Sequence, residues 1–302
     1  MELRHLDALL AIAEEGSFTA AADALSTVQS NVSDQIRQLE QELGAQLLVR
    51  TPRGAQPTEC GEAVLDRARR IRRELEAMRA DLSMIQGLET GETSFGIVGT
   101  AARWVVPRVV AELRSRAPGV RLSVVEGASE RLMADVASGE LAMAVVTEPV
   151  THTRLHAETL REEALVGVVP AGTRLPKPPV PLEALIGHGM VLPAPENPLR
   201  HEVEAVAAEQ GVELPVTVEV EGIRLVVDLV AAGAGASVLP ETAVPHEDGS
   251  VTAVPILGMP PRRLALVTGR DTNLSLADMA LRTELLNIVA RGAPEDVLAH
   301  RR

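Results

Sequence analysis

Residues 16–43, GSFTAAADALSTVQSNVSDQIRQLEQEL, decide how the first part of this chain folds. Gly16 suits the left-handed position that ends a helix, and Ser17 or Thr19 can cap the next one. Ala20, Ala21, Ala22 and Ala24 make that second helix thin, so another helix can cross it closely. Leu25 closes it, and Ser26-Thr27 make a tight turn. From Val28 onward Val32, Ile36, Leu39 and Leu43 recur at helical spacing, which predicts an amphipathic third helix. Its open side offers Gln29, Ser30, Asn31, Ser33, Asp34, Gln35 and Arg37. Short hydrogen-bonding groups at the front of a helix behind such a turn are what reading a DNA major groove requires. An ordinary helical hairpin with a solvated face would share the spacing, so the flanking sequence has to decide.

After Leu43-Gly44, residues 45–49 read as extended, and Arg50-Thr51-Pro52-Arg53-Gly54 as a turn carrying two arginines before Gln56-Pro57-Thr58. This is a wing, a hairpin whose guanidinium groups can reach phosphates or a minor groove. Residues 1 to about 61 then resemble the N-terminal domain of the LysR-type transcriptional regulators. The resemblance rests on Leu3, Leu6, Glu14, Gly16-Ser17-Phe18-Thr19, Ala21-Ala22, Leu25, Gln29, Val32-Ser33, Gln35-Ile36, Leu39-Glu40, Leu43-Gly44, Leu47, Arg50, Thr58 and Gly61. It implies an all-α winged helix-turn-helix over residues 1–58. Double-stranded DNA would be contacted by Gln29, Ser30, Asn31, Ser33, Asp34, Gln35, Arg37, Arg50 and Arg53. Val28, Ser30-Asn31 and Asp34 depart from the family's usual residues, which bears on the operator rather than the fold. Asp34 could accept from a cytosine amino group, orient Arg37 or cap the helix.

The charge balance is unusual for a DNA binder. The whole chain carries −13, and residues 1–60 hold four arginines against nine acidic residues, a net of −5. Non-specific association should therefore be weak and the salt dependence modest. The 302 residues suit two or three compact units, and the 46% hydrophobic content can build real cores. Phe18, Phe95 and Trp104 are the only aromatics, so those cores must be aliphatic and base stacking on aromatic platforms is excluded. Neither a signal-like segment nor a bilayer-length apolar run is found, which predicts a cytoplasmic chain with no membrane partner. Cys60 is the single cysteine, which rules out an intramolecular disulfide; it reads as a packed structural residue rather than a redox thiol. His152 and His156 read as exposed loop residues, because no third ligand accompanies them. With no GxxxxGK[ST] or GxSxG segment either, neither a metal, a cofactor nor catalysis is expected.

A long helix should follow, with Thr58 as its cap. Val64, Ala68, Ile71, Leu75, Met78, Leu82 and Ile85 are spaced 4-3-4-3-4-3, a heptad stripe over three repeats. A helix of about thirty residues is about 45 Å long and has no single core to bury into. Residues 59–88 are thus expected to pair with a second copy, packing against the chain's own domain being the alternative. A dimer would set two recognition helices on one face of a duplex. Arg69, Arg70, Arg72 and Arg73 read as a solvated face. The family resemblance adds tetramers, and RNA polymerase as a partner if the chain activates transcription.

Beyond Gly87–Gly91, short aliphatic runs alternate with helical stretches, the order of a parallel α/β sheet. Gly139-Glu140-Leu141 and residues 230–235 with Leu239-Pro240 resemble the regulator family's effector domain. That implies a two-lobed, type 2 periplasmic-binding-protein-like fold over residues 89–302, and an α/β class for the chain as a whole. Lobe 1 would span about 89–162 and 267–302, lobe 2 about 163–266, with crossings near 161–164 and 266–268. Ligands in such sheets bind beyond the C-terminal strand ends. The candidate effector contacts are Thr100, Ala101, Arg103, Gly127, Ser129, Asn197, Gly222 and Ile223. Free N–H groups there suit a small anionic effector. Thr100, Ser129 and Asn197 read equally well as plain helix caps, and Arg103 as a surface residue. A solute-binding transport protein and a two-lobed enzyme are the rivals for residues 90–302; the DNA-binding unit disfavours the first, and the lack of a reactive dyad the second. A regulator working without any effector is a third alternative.

Overall fold

The computed structural model of the chain describes residues 1–51, 54–85, 90–244, 249–270 and 272–292. The chain divides into two compact units, Met1–Arg79 with Ser138–Glu140, and Ala80–Ala137 with Leu141–Arg302. The first unit holds α1 (Leu3–Glu15), α2 (Phe18–Ala24), α3 (Gln29–Leu43), the hairpin strands β1 (Leu48–Thr51) and β2 (Gly54–Pro57), and the start of α4 (Glu59–Ile85). α1 stops at Gly16, whose φ of 72° is left-handed, and the Ser17 side chain accepts from the Ala20 N–H at 3.1 Å to begin α2. Fully buried Ala21 and nearly buried Ala22 let the three helices close over Leu9, Ile12, Val32, Ile36 and Leu39. Each such aliphatic side chain contributes about 1.5–3 kcal/mol on burial.

Leu43 does not join the stripe predicted for α3; it is 42% exposed. Gly44 turns the chain there, and the Glu40 carboxylate accepts from the Leu47 N–H at 2.7 Å, so Leu47 enters the core in its place. The heptad stripe of α4 is also divided. Ala68 is buried and Val64 packs at the edge of the first unit's core, together with Leu65, which lies off the stripe. Those two positions follow the own-domain alternative. Ile71, Met78 and Leu82 remain exposed, Leu75 is half-buried, and the Ile85 side chain lies outside the described residues. Arg69 pairs with Glu140 (3.0 Å) and Asp66 (3.9 Å), Arg72 pairs with Glu14 (3.0 Å), and Arg73 donates to the Gly139 carbonyl at 3.3 Å, so the predicted solvated arginine face is in large part engaged with the protein. Cys60 is exposed rather than packed: the first turn of α4 directs Gly61 and Leu65 inward and Cys60 out.

The second unit adds β3 (Thr90–Ile97), α5 (Gly99–Arg116), β4 (Gly119–Glu126), α6 (Ser129–Ser138), β5 (Met143–Thr147) and β6 (Leu155–Glu163) in its first lobe. β12 (Arg262–Gly269) and α10 (Leu276–Arg291) complete that lobe. The sheet order is β4-β3-β5-β12-β6; β3 runs parallel to β4 and β5, whereas β12 runs antiparallel to β5 and β6. The three strands of the predicted parallel order are parallel, and the returning β12 with β6 makes the completed sheet mixed. β6 escapes the sequence pattern because its middle is polar and exposed, as suits an edge strand. It carries His156, which is consequently a strand residue rather than a loop one. β12 belongs to the first sheet along its whole length, so the second crossing precedes Arg262 instead of lying at 266–268.

The second lobe contains β7 (Leu165–Pro170), α7 (Glu183–Ile186), β8 (Met190–Pro193), α8 (Pro198–Gln210), β9 (Val216–Val220), α9 (Ile223–Ala231), β10 (Ser237–Pro240) and β11 (Val251–Pro255). β10 and β11 flank β7 antiparallel, and β8 pairs with β9 in parallel. Both lobes have fully buried aliphatic cores; Phe95 and Trp104 lie in the first, and the second has no aromatic residue.

At the start of α4, a Cβ on Gly61 would sit 2.0 Å from the Leu47 carbonyl oxygen. Helix propensity alone says Gly61→Ala should stabilise by about 1 kcal/mol. The steric conflict reverses the sign, and overpacking of this kind costs about 1–3 kcal/mol. Thermal unfolding of Gly61→Ala should show a lowered midpoint; a raised one would refute the packing described.

Candidate DNA interface and effector cleft

The buried side of α3, Val32, Ile36 and Leu39, fixes which residues face outward. Gln29, Ser30, Asn31, Asp34 and Arg37 are exposed, and Ser33 and Gln35 are half-buried at the flanks. Asn31 donates to the Thr27 hydroxyl at 2.9 Å, which orders the turn in front of the helix. Asp34 accepts from Arg37 at 2.6 Å, so in the free chain it orients that guanidinium. At surface exposure such a pair contributes little to stability. The Val28 cap provides no side-chain bond to the first turn of α3. In the hairpin, Arg50 pairs through its backbone with Ala55, and the Ala55 N–H bonds the Gly16 carbonyl at 2.9 Å, hooking the wing to the α1–α2 turn. The Arg50 side chain and all of Arg53 lie outside the described residues.

Between the two lobes of the second unit lies a cavity of about 380 Å³ lined by Thr100, Gly127, Ser129, Thr147, Asn197, Gly222, Ile223 and Arg262 among others. It shares the wall residues Gly99, Thr100, Glu126 and Ile223 with a second cavity of about 580 Å³ bounded by Ile97, Arg103, Val106, Pro107, Val124 and Arg224. The N-terminal ends of α5, α6, α8 and α9 all reach the smaller cavity. Helix N-termini carry partial positive charge and unused N–H donors. Four of them with one guanidinium favour an anionic group, while exposed Glu126 and Glu221 at the same walls oppose more than one.

Six of the eight predicted effector residues line the smaller cavity: Thr100, Gly127, Ser129, Asn197, Gly222 and Ile223. Arg103 is exposed and lines only the larger one. Ala101 lines neither; it is wholly buried in the first lobe's core, because the second residue of α5 faces the cleft and the third faces the sheet. The caps are partly real. Asn197 accepts from the Leu199 N–H at 3.0 Å. Ser129 instead bonds Thr147, its hydroxyl 2.7 Å from the Thr147 hydroxyl and 3.1 Å from the Thr147 N–H.

Sequence reasoning missed Arg262, Glu163 and Thr242. Arg262, 8% exposed, donates to the Thr100 hydroxyl and to the Glu163 carboxylate, the latter at 2.6 Å. Thr242 donates to the other Glu163 oxygen at 2.6 Å. An arginine after Pro260-Pro261 reads as a surface residue; only the crossing of the two connecting segments reveals its burial. On the other side of Arg262 a pocket of about 270 Å³ is bounded by Glu148, Leu165, Glu202, Pro260, Pro261 and Arg263. One Glu202 carboxylate oxygen there is buried with no hydrogen-bond partner among the described residues.

Burial raises the Glu202 carboxyl above its ordinary range; Arg262 opposes this and Glu163 adds to it. The folded chain thus holds this proton more tightly than the unfolded chain does. The resulting penalty on folding is absent below the ordinary glutamate value and complete above the raised one. Glu202→Gln should therefore raise the unfolding temperature at pH 8, and the gain should shrink as pH falls towards about 4.5, the ordinary value for this group. A gain that is equal at both pH values would contradict the assignment.

Among the described residues no group of His, Cys, Asp and Glu could hold a metal ion, and no helix is long and apolar enough to cross a membrane. Residues 3–62 match the domain described as "Bacterial regulatory helix-turn-helix protein, lysR family", and residues 86–288 match the "LysR substrate binding domain". The chain is 30% identical over 301 residues to the nitrogen assimilation regulatory protein Nac of Klebsiella aerogenes, covering 98% of both. Its fold is similar to that of a full-length OxyR variant from Pseudomonas aeruginosa (TM-score 0.74, 22% identity, 97% and 99% covered). It is also similar to full-length LysG from Corynebacterium glutamicum with bound effector Arg (TM-score 0.66, 22% identity, 98% and 100% covered). These relatives are regulators rather than enzymes. The helix-turn-helix unit, the two-lobed unit and these matches along nearly the whole chain place it together: the chain belongs to the LysR family of DNA-binding transcriptional regulators.

Proposed function

We propose that this regulator reads its operator with the outward side of α3 and is controlled by a small anionic effector held between the lobes of its second unit. The convergence of four helix N-termini and the Arg262 guanidinium on one interlobe cavity carries this reading. Gln29, Ser30, Asn31, Ser33 and Gln35 are the base-reading groups; Arg37, Arg50 and Arg53 are backbone grips. Thr100, Gly127, Asn197, Gly222 and Ile223 surround the effector. Ser129 acts by fixing Thr147, and Arg103 borders the outer cavity. Ile71, Leu75, Met78, Leu82 and Ile85 supply a dimer seam, and pairing of dimers gives tetramers.

The domain limits are residues 1–58 for DNA binding, 59–88 for the linker helix and 89–302 for the effector domain. Residues 61–302 contain no cysteine, so control rests on non-covalent occupancy of the cleft and not on thiol chemistry there. The effector acts by binding one arrangement of the lobes more tightly than the other. Operation in the cytoplasm, beside the chromosome, follows from the same reading.

The test is a gel shift on DNA flanking the protein's own coding region, competed with unrelated duplex at near-physiological salt. Gln29→Ala should weaken the specific shift by about 1–3 kcal/mol, the worth of one bidentate base contact. It should leave the weak non-specific binding unchanged. If the folded protein shifts no genomic fragment specifically, the α3 reading fails.

A further inference from the structure

The third helix opens on a residue that serves neither as a cap nor in the core. Val28 is the N-cap of α3, with extended backbone (φ −102°, ψ 148°) and no side-chain bond to the first turn. Ser, Thr, Asp and Asn stabilise a helix from this position, and valine is among the poorest residues there. Four residues on, Val32 is fully buried, yet Val28 is 64% exposed, the most exposed large apolar side chain among the described residues. Its methyls take no part in the core around Val32, Ile36 and Leu39, so folding gains nothing from them to offset the missing cap.

The turn that carries Val28 is firmly built. The Leu25 N–H bonds the Ala21 carbonyl at 3.0 Å and the Thr27 N–H bonds the Ala22 carbonyl at 2.9 Å. Ser26 between them has a left-handed φ of 53°, and the Asn31 side chain donates to the Thr27 hydroxyl at 2.9 Å. Val28 is itself branched at Cβ, which restricts χ1. Its methyls are therefore positioned before any partner arrives, beside exposed Gln29, Ser30 and Asn31, and little freedom remains to be lost on contact.

In a major groove such a group has one matching surface. Base edges there present hydrogen-bonding atoms and, on thymine alone of the four bases, a C5 methyl that apolar side chains read. Valine has no donor or acceptor with which to grip a phosphate. A contact that needs no charge also suits a unit whose first 60 residues carry a net −5.

We infer that Val28 is a specificity-determining residue, whose methyls pack against the C5 methyl of a thymine in the operator. The inference rests on α3 being the reading helix, as proposed above, and adds a base that its leading residue selects. The position has given up a cap that would favour the free chain for an apolar contact that only DNA completes.

The test uses the full-length chain and the duplex found by the gel shift above, with each thymine in turn replaced by deoxyuridine, which pairs alike and lacks only the methyl. At one thymine per half-site the exchange should weaken wild-type binding about fourfold, the worth of one buried carbon. The factor should be equal at low and near-physiological salt, because a methyl contact releases no counterion. Val28→Ser should bind thymine and deoxyuridine duplexes equally, while its unfolding midpoint rises because a cap is restored. Val28→Thr, which keeps one methyl, should retain part of the discrimination. A merely structural role for Val28 would change affinity without removing the response to the methyl. If no thymine is sensitive, or if the sensitive one stays so in Val28→Ser, the inference falls; the α3 reading stands as long as Gln29→Ala weakens the specific shift. If Gln29→Ala also leaves specific binding unchanged, or no duplex is bound specifically, both fall.

Discussion

The second unit depends on a buried ion pair placed where its chain crosses between lobes. Glu163 and Arg262 are 1% and 8% exposed, and taking each ion from water costs several kcal/mol. Such a pair is poor evidence for stability, since well-packed apolar residues often serve as well. Breaking it from one side is another matter, because the survivor is an unpaired buried charge, at a cost of about 3–5 kcal/mol. The pair therefore specifies geometry: both crossings, a threonine of the first lobe and a threonine of the second must meet at one point for every oxygen and N–H to be satisfied. The aliphatic cores on either side provide the stability, and the polar bolt between them sets how the lobes face the cavity.

In the first unit the governing constraint is helix proximity. Ala21 and Ala22 let α2 nest against its neighbours, which turns Val32, Ile36 and Leu39 of α3 inward and thereby its polar side outward. The unit does this while carrying more acidic than basic residues. Association by charge alone is thus weak, and binding must come from local donors and from helix ends facing phosphates. Asp34 gripping Arg37 reduces the free positive charge of that face further.

Most of the architecture was readable from local signals. Gly16, Ser17, Gly44 and Thr58 occupy the helix ends that their chemistry predicts. Three kinds of feature were not readable. β6 is a polar edge strand, and the antiparallel course of β12 depends on a return of the chain from distant sequence. The heptad of α4 was correct as a spacing but silent about ownership, so Val64 and Ala68 turned out to serve the chain's own core. Exposure of Cys60 and burial of Ala101 are one-residue helical phase effects that no pattern of types resolves. The cleft candidates came from strand-end positions, which topology predicts; Arg262 and Glu163 escaped because their meeting joins residues about a hundred apart in the chain.

The central claim is that occupancy of the interlobe cleft alters how the paired recognition helices engage DNA. The measurement that tests it most directly is a footprint on the protein's operator, titrated with a ligand shown to bind the cleft. The account predicts that the protected region changes in length or position, with a midpoint matching the cleft affinity. A footprint identical from zero to saturating ligand would contradict it.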